Sequence, residues 1–133
     1  GDVYKRQMPT HIHHGSYRHR EGYKGAIALL QEGVTALIAG DSMMTAGALE
    51  ACHNAGKRIG EEIALVGFDD FIYLRFQPSP ISVVDQDVAR MGETATAKLI
   101  AAINDKHQPE GEVLETRYIP RMSTAHQLDG ATP

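Results

Sequence analysis

The sequence predicts an α/β fold: a mainly parallel, doubly wound sheet with flanking helices. Three observations predict it. Short apolar runs at residues 36–39, 63–68 and 81–84 have the length and unbroken character of buried parallel strands. The stretches between and around them carry apolar residues at helical spacing. Strands spaced by helices in this way form βαβ units, whose strands lie parallel in one sheet.

Taken in order, residues 12–15 are a weak strand candidate. Tyr23, Ala26, Ile27 and Leu30 recur at helical spacing, which predicts a helix over about 18–32 that Gly33 ends. The run Ala36-Leu37-Ile38-Ala39 reads as a buried parallel strand. Asp41 then suits a helix N-cap, and the helix after it carries Met44, Ala48 and Cys52 four apart and stops near Gly56. Residues 63–68 form the second long apolar run, broken by Asp69-Asp70. Residues 71–80 read as an aromatic loop ending in Pro78-Ser79-Pro80, and residues 81–84 as another strand. Val88, Met91, Ala95, Leu99 and Ile103 give the helix at about 87–104 the cleanest stripe in the chain. Residues 113–119 are a further strand candidate, and 124–133 read as a frayed tail.

Composition narrows the function classes. The chain of 133 residues is one ordinary domain, 42% hydrophobic and 23% charged. A formal charge of −4 argues against a nucleic-acid surface within this segment, because phosphate binding needs clustered Lys and Arg. No apolar run is long enough to span a membrane. The single cysteine, Cys52, has no internal disulfide partner and lies on an apolar helical stripe, which reads as core rather than nucleophile. That fits a reducing, cytoplasmic setting.

Catalytic and cofactor signatures are missing. There is no dinucleotide or nucleotide phosphate loop and no nucleophile elbow, and Gly40-Asp41-Ser42 is a weak phosphate cradle at best. His11-x-His13-His14 invites a metal reading, but no further Cys/His cluster closes a site, so a surface histidine run is the better reading. The expectation is no enzyme, no cofactor and no metal.

What the pattern does offer is an edge. Ligands on open parallel sheets bind at the carboxyl ends of strands. The polar clusters Gly15-Ser16, Gly40-Asp41, Asp69-Asp70 and Asp85-Gln86 each follow a predicted strand, so all four should line one edge. Carboxylates and an amide there suit a hydroxyl-rich small molecule. Of Asp69 and Asp70, one is expected to contact ligand and the other to cap the next turn. Asp41 is expected first as a cap and second as a ligand contact.

Several segments in order carry a resemblance. Gly33 to Asp41, Ala46-Gly47-Ala48-Leu49, Ile63 to Asp70, Pro80 to Gln86, Met91-Gly92 and Arg121-Met122-Ser123-Thr124 are similar, in sequence and spacing, to the signatures of the lactose/galactose repressor family. The resemblance covers roughly residues 15–124. It implies a type I periplasmic-binding-protein-like lobe. It also implies a bacterial transcription regulator that senses a sugar or related polar metabolite, dimerises through this lobe and binds DNA only through an N-terminal headpiece not represented here. On that layout residues 8–84 resemble the C-terminal lobe of an effector-binding domain. Residues 85–106 resemble a crossover and helix that pack on the other lobe, 107–124 returning strands, and 125–133 a tail.

Asp69 matches the family's ligand-binding aspartate, and Gln86 a polar residue where the chain crosses between lobes. Two departures stand out. Gly40 occupies a position where many sugar-binding members have asparagine, and in Arg18-His19-Arg20-Glu21-Gly22-Tyr23 a histidine takes the usual arginine position. Imidazole cannot make the bidentate fork of a guanidinium, so Arg18 or Arg20 is left to substitute for it. The other fold-compatible function is a periplasmic sugar-binding transport protein. Residues 2–7, Asp-Val-Tyr-Lys-Arg-Gln, resemble the translated end of a sequencing-transposon adaptor, so residues 1–7 are expected to be a scar.

Overall fold

The structure, a computed structural model, describes residues 11–105 and 108–129. The elements run α1 (His19–Gln31), β1 (Ala36–Ile38), α2 (Ser42–Asn54), β2 (Ala64–Phe68), α3 (Ile72–Arg75), β3 (Ser82–Asp85), α4 (Val88–Asp105), β4 (Arg117–Ile119) and α5 (Met122–Asp129). Four strands form one open sheet in the order β1-β2-β3-β4. The first three are parallel and β4 is antiparallel to β3. The predicted mainly parallel α/β sheet is what forms.

The core is built where the apolar runs predicted it. Leu65 of β2, Ile81, Val83 of β3, and Ala51 and Cys52 of α2 are fully buried. Burial pushes the Cys52 thiol up to about 11, in keeping with its place in the core. α1 and α2 pack closely because two glycines meet at their crossing. A Cβ on Gly47 would lie 2.2 Å from the His19 carbonyl oxygen, and one on Gly22 would lie 2.6 Å from the Met44 Cα. The ends are set by local chemistry: Asp41 Oδ1 accepts from the Met44 amide at 2.6 Å to cap α2, and Gly33 takes the left-handed φ of 81° that ends α1.

Five expectations need correction. Residues 12–15 form no strand. β1 is buried on one side only: Leu37 and Ala39 are inside, while Ile38 is 80% exposed, because β1 is an edge strand and an apolar run does not reveal edge from centre. The loop at 71–80 contains the single-turn helix α3, which buries Leu74. The strand expected at 113–119 is only β4, because its pairing is limited to Val83–Asp85 of β3. The expected tail begins instead with α5, whose Ser123 and Thr124 are buried.

Those two hydroxyls explain why so polar a segment is held. Ser123 Oγ donates to the Leu65 carbonyl (2.6 Å) and accepts from the Ser82 amide (2.8 Å). Thr124 Oγ1 lies 2.7 Å from Ser82 Oγ, which also accepts from the Arg121 amide at 2.8 Å. The start of α5 is thus tied to β2 and β3 by side-chain hydrogen bonds.

α4 buries nothing. Val88, Met91, Leu99, Ile100 and Ile103 are 42–67% exposed.

Candidate functional site

The carboxyl ends of the parallel strands bring three of the predicted residues together, and a buried threonine fixes them. Thr45 Oγ1 donates to the Asp41 carbonyl (2.6 Å) and accepts from the Phe68 amide (2.9 Å). It therefore ties the N-terminus of α2 to the end of β2. The Asp69 amide continues the ladder by donating to the Val84 carbonyl at 2.9 Å. Gln86, just past β3, donates from Nε2 to Asp69 Oδ1 at 2.9 Å. Asp41, Asp69 and Gln86 are all half-buried, so each keeps polar surface at this edge.

Asp69 has a left-handed backbone, φ 63°. A non-glycine residue there is uncommon, and such conformations gather at functional sites, where the surrounding structure holds them. Here the rigid strand before it and Asp70 after it do the holding. Asp70 Oδ2 lies 2.8 Å from Arg75 Nη2, and its Oδ1 lies 2.7 Å from Arg121 Nη2, paired in charge though out of line for a hydrogen bond. Burial pushes the Asp70 carboxyl upward, but the Arg121 and Arg75 guanidiniums outweigh it and hold the group below its ordinary value.

This corrects the expected division of labour. Among the described residues Asp70 caps no helix; the residue preceding α3 is Phe71, which makes no side-chain cap. Two guanidiniums compete for Asp70 and win. Arg121 belonged to a quoted signature without a role, and no sequence signal paired it with Asp70. Thr45 was missed too, although its position four residues after Asp41 on a helix whose other inward residues are apolar is a readable hint.

The pairing has a pH consequence. An aspartate held low in the folded state stabilises the fold above its unfolded value, about 3.9, and that contribution disappears as pH falls through the lower folded value. Asp70→Asn is expected to lower stability at neutral pH and to flatten the loss of stability between about pH 4 and the acid limit. Urea melts from pH 2 to 7 check this, and equal steepness in parent and variant would contradict it.

The basic cluster does not join the edge. His19 Nε2 lies 2.8 Å from Glu50 of α2, so its imidazole is engaged between helices. Arg18 is the N-cap position of α1 and Arg20 lies in its first turn, both exposed. Among the described residues, none of the three contacts Asp41, Asp69 or Gln86 through a hydrogen bond or ion pair. Gly15-Ser16 turns into α1 rather than ending a strand, through the Arg18 amide on the Ser16 carbonyl at 2.7 Å. His11 pairs with Glu32, and among the described residues no group of three side chains is arranged to hold a metal.

Next to this edge, the chain leaves and re-enters the sheet. Asp85 of β3 and Arg117 of β4 pair at 3.3 Å, and Asp87, with φ 51°, accepts from the Arg90 amide to start α4. Among the described residues, no helix is long and apolar enough to cross a membrane.

An open parallel sheet with polar residues gathered at its carboxyl edge is the architecture of small-molecule-binding α/β lobes. The chain belongs to the periplasmic binding protein-like domain family, whose model matches residues 4–124. A curated relative, the helix-turn-helix transcriptional regulator MalR of Streptomyces coelicolor, is 30% identical over 115 residues, covering 86% of this chain and 33% of that protein. The solved structure of a protein described as a probable LacI family transcriptional regulator from Corynebacterium glutamicum superposes with a TM-score of 0.67 at 36% identity, over 80% of this chain and 38% of that one. A complex of the transcriptional regulator CelR with cellobiose gives a TM-score of 0.72 at 28% identity, over 82% and 34%. The chain therefore spans about a third of the length of these relatives, and its homologues are LacI-family transcriptional regulators.

Proposed function

We propose that this chain is the effector-sensing part of a bacterial DNA-binding transcription regulator, with a sugar or related polyol seated at the Asp69–Gln86 edge. The observation that carries the reading is Asp69: a carboxylate on a left-handed residue at the end of a buried strand, already paired with a side-chain amide at 2.9 Å. A carboxylate accepts from two vicinal hydroxyls, and an amide both donates and accepts, so the pair matches sugar chemistry. Asp41 adds a second carboxylate at the same sheet edge, with Oδ1 committed to the cap. Arg18, His19 and Arg20 are the outer contacts in this reading, reached by a ligand that extends toward α1. That the named relatives are regulators, one of them held with cellobiose, favours sensing over transport.

On the same reading the full-length protein works in the cytoplasm and reaches DNA through a separate headpiece, since the charge of −4 here offers no phosphate-binding surface. The stripe of α4 is covered by a second lobe. Dimerisation runs through this lobe, supported by the aromatic patch of Phe71, Tyr73 and Phe76, which stays 38–79% exposed. Sedimentation of the full-length protein at micromolar concentration should give a dimer, and a monomer would contradict that assignment. The site reading is tested by calorimetric titration of the full-length protein with a panel of disaccharides including cellobiose. Saturable binding by at least one, at one per chain, is expected; none across the panel would overturn the sugar class.

A further inference from the structure

The ladder between β1 and β2 stops one rung early. In a parallel pair, a residue that bonds across gives its amide to one partner residue and takes, at its carbonyl, the amide two residues further along. Thr35 follows that rule, accepting from the Ala64 amide at 2.9 Å. Ala39 gives its amide to the Val66 carbonyl (3.0 Å), so its carbonyl is the regular acceptor for the Phe68 amide. The Phe68 amide donates instead to Thr45 Oγ1 at 2.9 Å. A side-chain hydroxyl from α2 has taken the place of the last backbone acceptor, and β1 and β2 part at that point.

Thr45 is held tightly in that place. Its hydroxyl donates to the Asp41 carbonyl at 2.6 Å, a bond to the preceding turn that threonine commonly makes in helices, and this leaves the oxygen's lone pairs for Phe68. The side chain is fully buried. Its methyl group closes on Gly67, where a Cβ would lie 2.5 Å from Thr45 Cγ2. The rotamer is therefore fixed by a donor on one side, an acceptor on another and backbone against the methyl. Packing alone does not call for a hydroxyl here, since the other inward residues of α2 include Ala48, Ala51 and Cys52. The hydroxyl is explained by the two backbone groups it joins.

We infer that Thr45 is a positioning residue for effector recognition, its hydroxyl setting the spacing of the Asp41 and Asp69 carboxylates. The inference rests on the reading of those two carboxylates as effector contacts. One end of the bridge is Asp41 itself, whose Oδ1 is fixed by the cap on the Met44 amide at 2.6 Å. The other end is Phe68, the residue directly before Asp69. Asp69 is in turn fixed by Gln86, at 2.9 Å on Oδ1. Without the hydroxyl, the Phe68 amide is left with the Ala39 carbonyl as its regular partner. Making that rung closes β2 on β1, moves Asp69 against Gln86 and changes the distance that the effector's hydroxyls must span. Sites aimed by a buried supporting side chain lose affinity when that support goes, although it never touches the bound molecule.

The test compares three variants of the full-length protein. Thr45→Val removes the hydroxyl and keeps the shape; Thr45→Ser keeps the hydroxyl and removes the methyl group. Ile63→Val weakens the core at the fully buried Ile63, away from the carboxyl edge. Without any sugar, Thr45→Val is expected to shift the Gln86 side-chain amide and the Asp69 backbone amide in the NMR spectrum, while Thr45→Ser and Ile63→Val leave the Gln86 signal in place. Calorimetric titration then uses cellobiose, or the disaccharide of the panel that the parent binds. Thr45→Val should bind it about five- to tenfold more weakly, the cost of an unpaired donor, with Thr45→Ser and Ile63→Val within about twofold of the parent. If Thr45→Val does not fold, Thr45→Ala replaces it. Unmoved Gln86 and Asp69 signals in the folded Val or Ala variant would overturn the inference whether or not a sugar binds. So would an equal loss of affinity in Thr45→Ser, or in Ile63→Val, which would reduce the effect to lost stability. A parent that binds no disaccharide overturns the sugar reading instead, and the sugar-free spectra still decide the role of Thr45.

Discussion

Asp69→Asn in the full-length protein is expected to weaken effector binding about ten- to a hundred-fold, the largest loss of any single substitution at the carboxyl edge. The variant keeps the shape and removes the charge. Asparagine is also among the few residues that accept a left-handed backbone, so the turn at φ 63° should survive. What is lost is a charged acceptor at a half-buried position, worth about 1.5–3 kcal/mol when ligand donors are left facing a weaker partner. Gln86→Ala should cost less, because a neutral amide makes weaker bonds. It should still cost something beyond its own contact, since Gln86 holds Asp69 Oδ1 at 2.9 Å. His19→Ala should cost least, its imidazole being paired with Glu50. Calorimetric titration with the tightest sugar of the panel gives the order, and Asp69→Asn binding as tightly as the parent while folded would place the site elsewhere.

Gly47→Ala should destabilise the fold, against the direction that helix propensity gives. Glycine in a helix interior is worse than alanine by about 1 kcal/mol, so an unconstrained position gains from the change. Gly92, in the exposed α4 with nothing near its missing Cβ, is such a position, and Gly92→Ala should stabilise α4. At Gly47 the new Cβ would meet the His19 carbonyl oxygen at 2.2 Å and the Tyr23 amide nitrogen at 2.5 Å, both backbone atoms that cannot rotate away. α1 and α2 must separate, and overpacking of that kind costs about 1–3 kcal/mol or more. Thermal melts of the two alanine variants should move in opposite directions. Equal gains at both would show that the close helix crossing carries no energy.

The contrast between these glycines shows what a sequence discloses. β2 and β3 were legible because each is an unbroken apolar run ended by polar residues, and Asp69 and Gln86 were legible because parallel sheets gather such ends at one edge. The one-sided burial of β1 was not, since the run 36–39 reads the same whether or not a neighbour covers it. α3 is one turn long and α5 is polar, so neither carries a periodic signal. α5 is held by Ser123 and Thr124 hydroxyls on Leu65 and Ser82, residues 41–58 positions away in the chain. The Asp70–Arg121 pair is equally non-local. The Arg18-His19-Arg20 cluster entered only through the family resemblance, and the pairing of His19 with Glu50 between helices carries no sequence signal, being equally non-local.

The most direct measurement of the central claim is the side-chain amide resonance of Gln86 in the full-length protein as a bound disaccharide is titrated in. The account predicts that this amide, bonded to Asp69 without ligand, shifts along a curve that saturates with the calorimetric isotherm, together with the backbone amides of Phe68 and Asp69. Saturable sugar binding that leaves all three unmoved would contradict it.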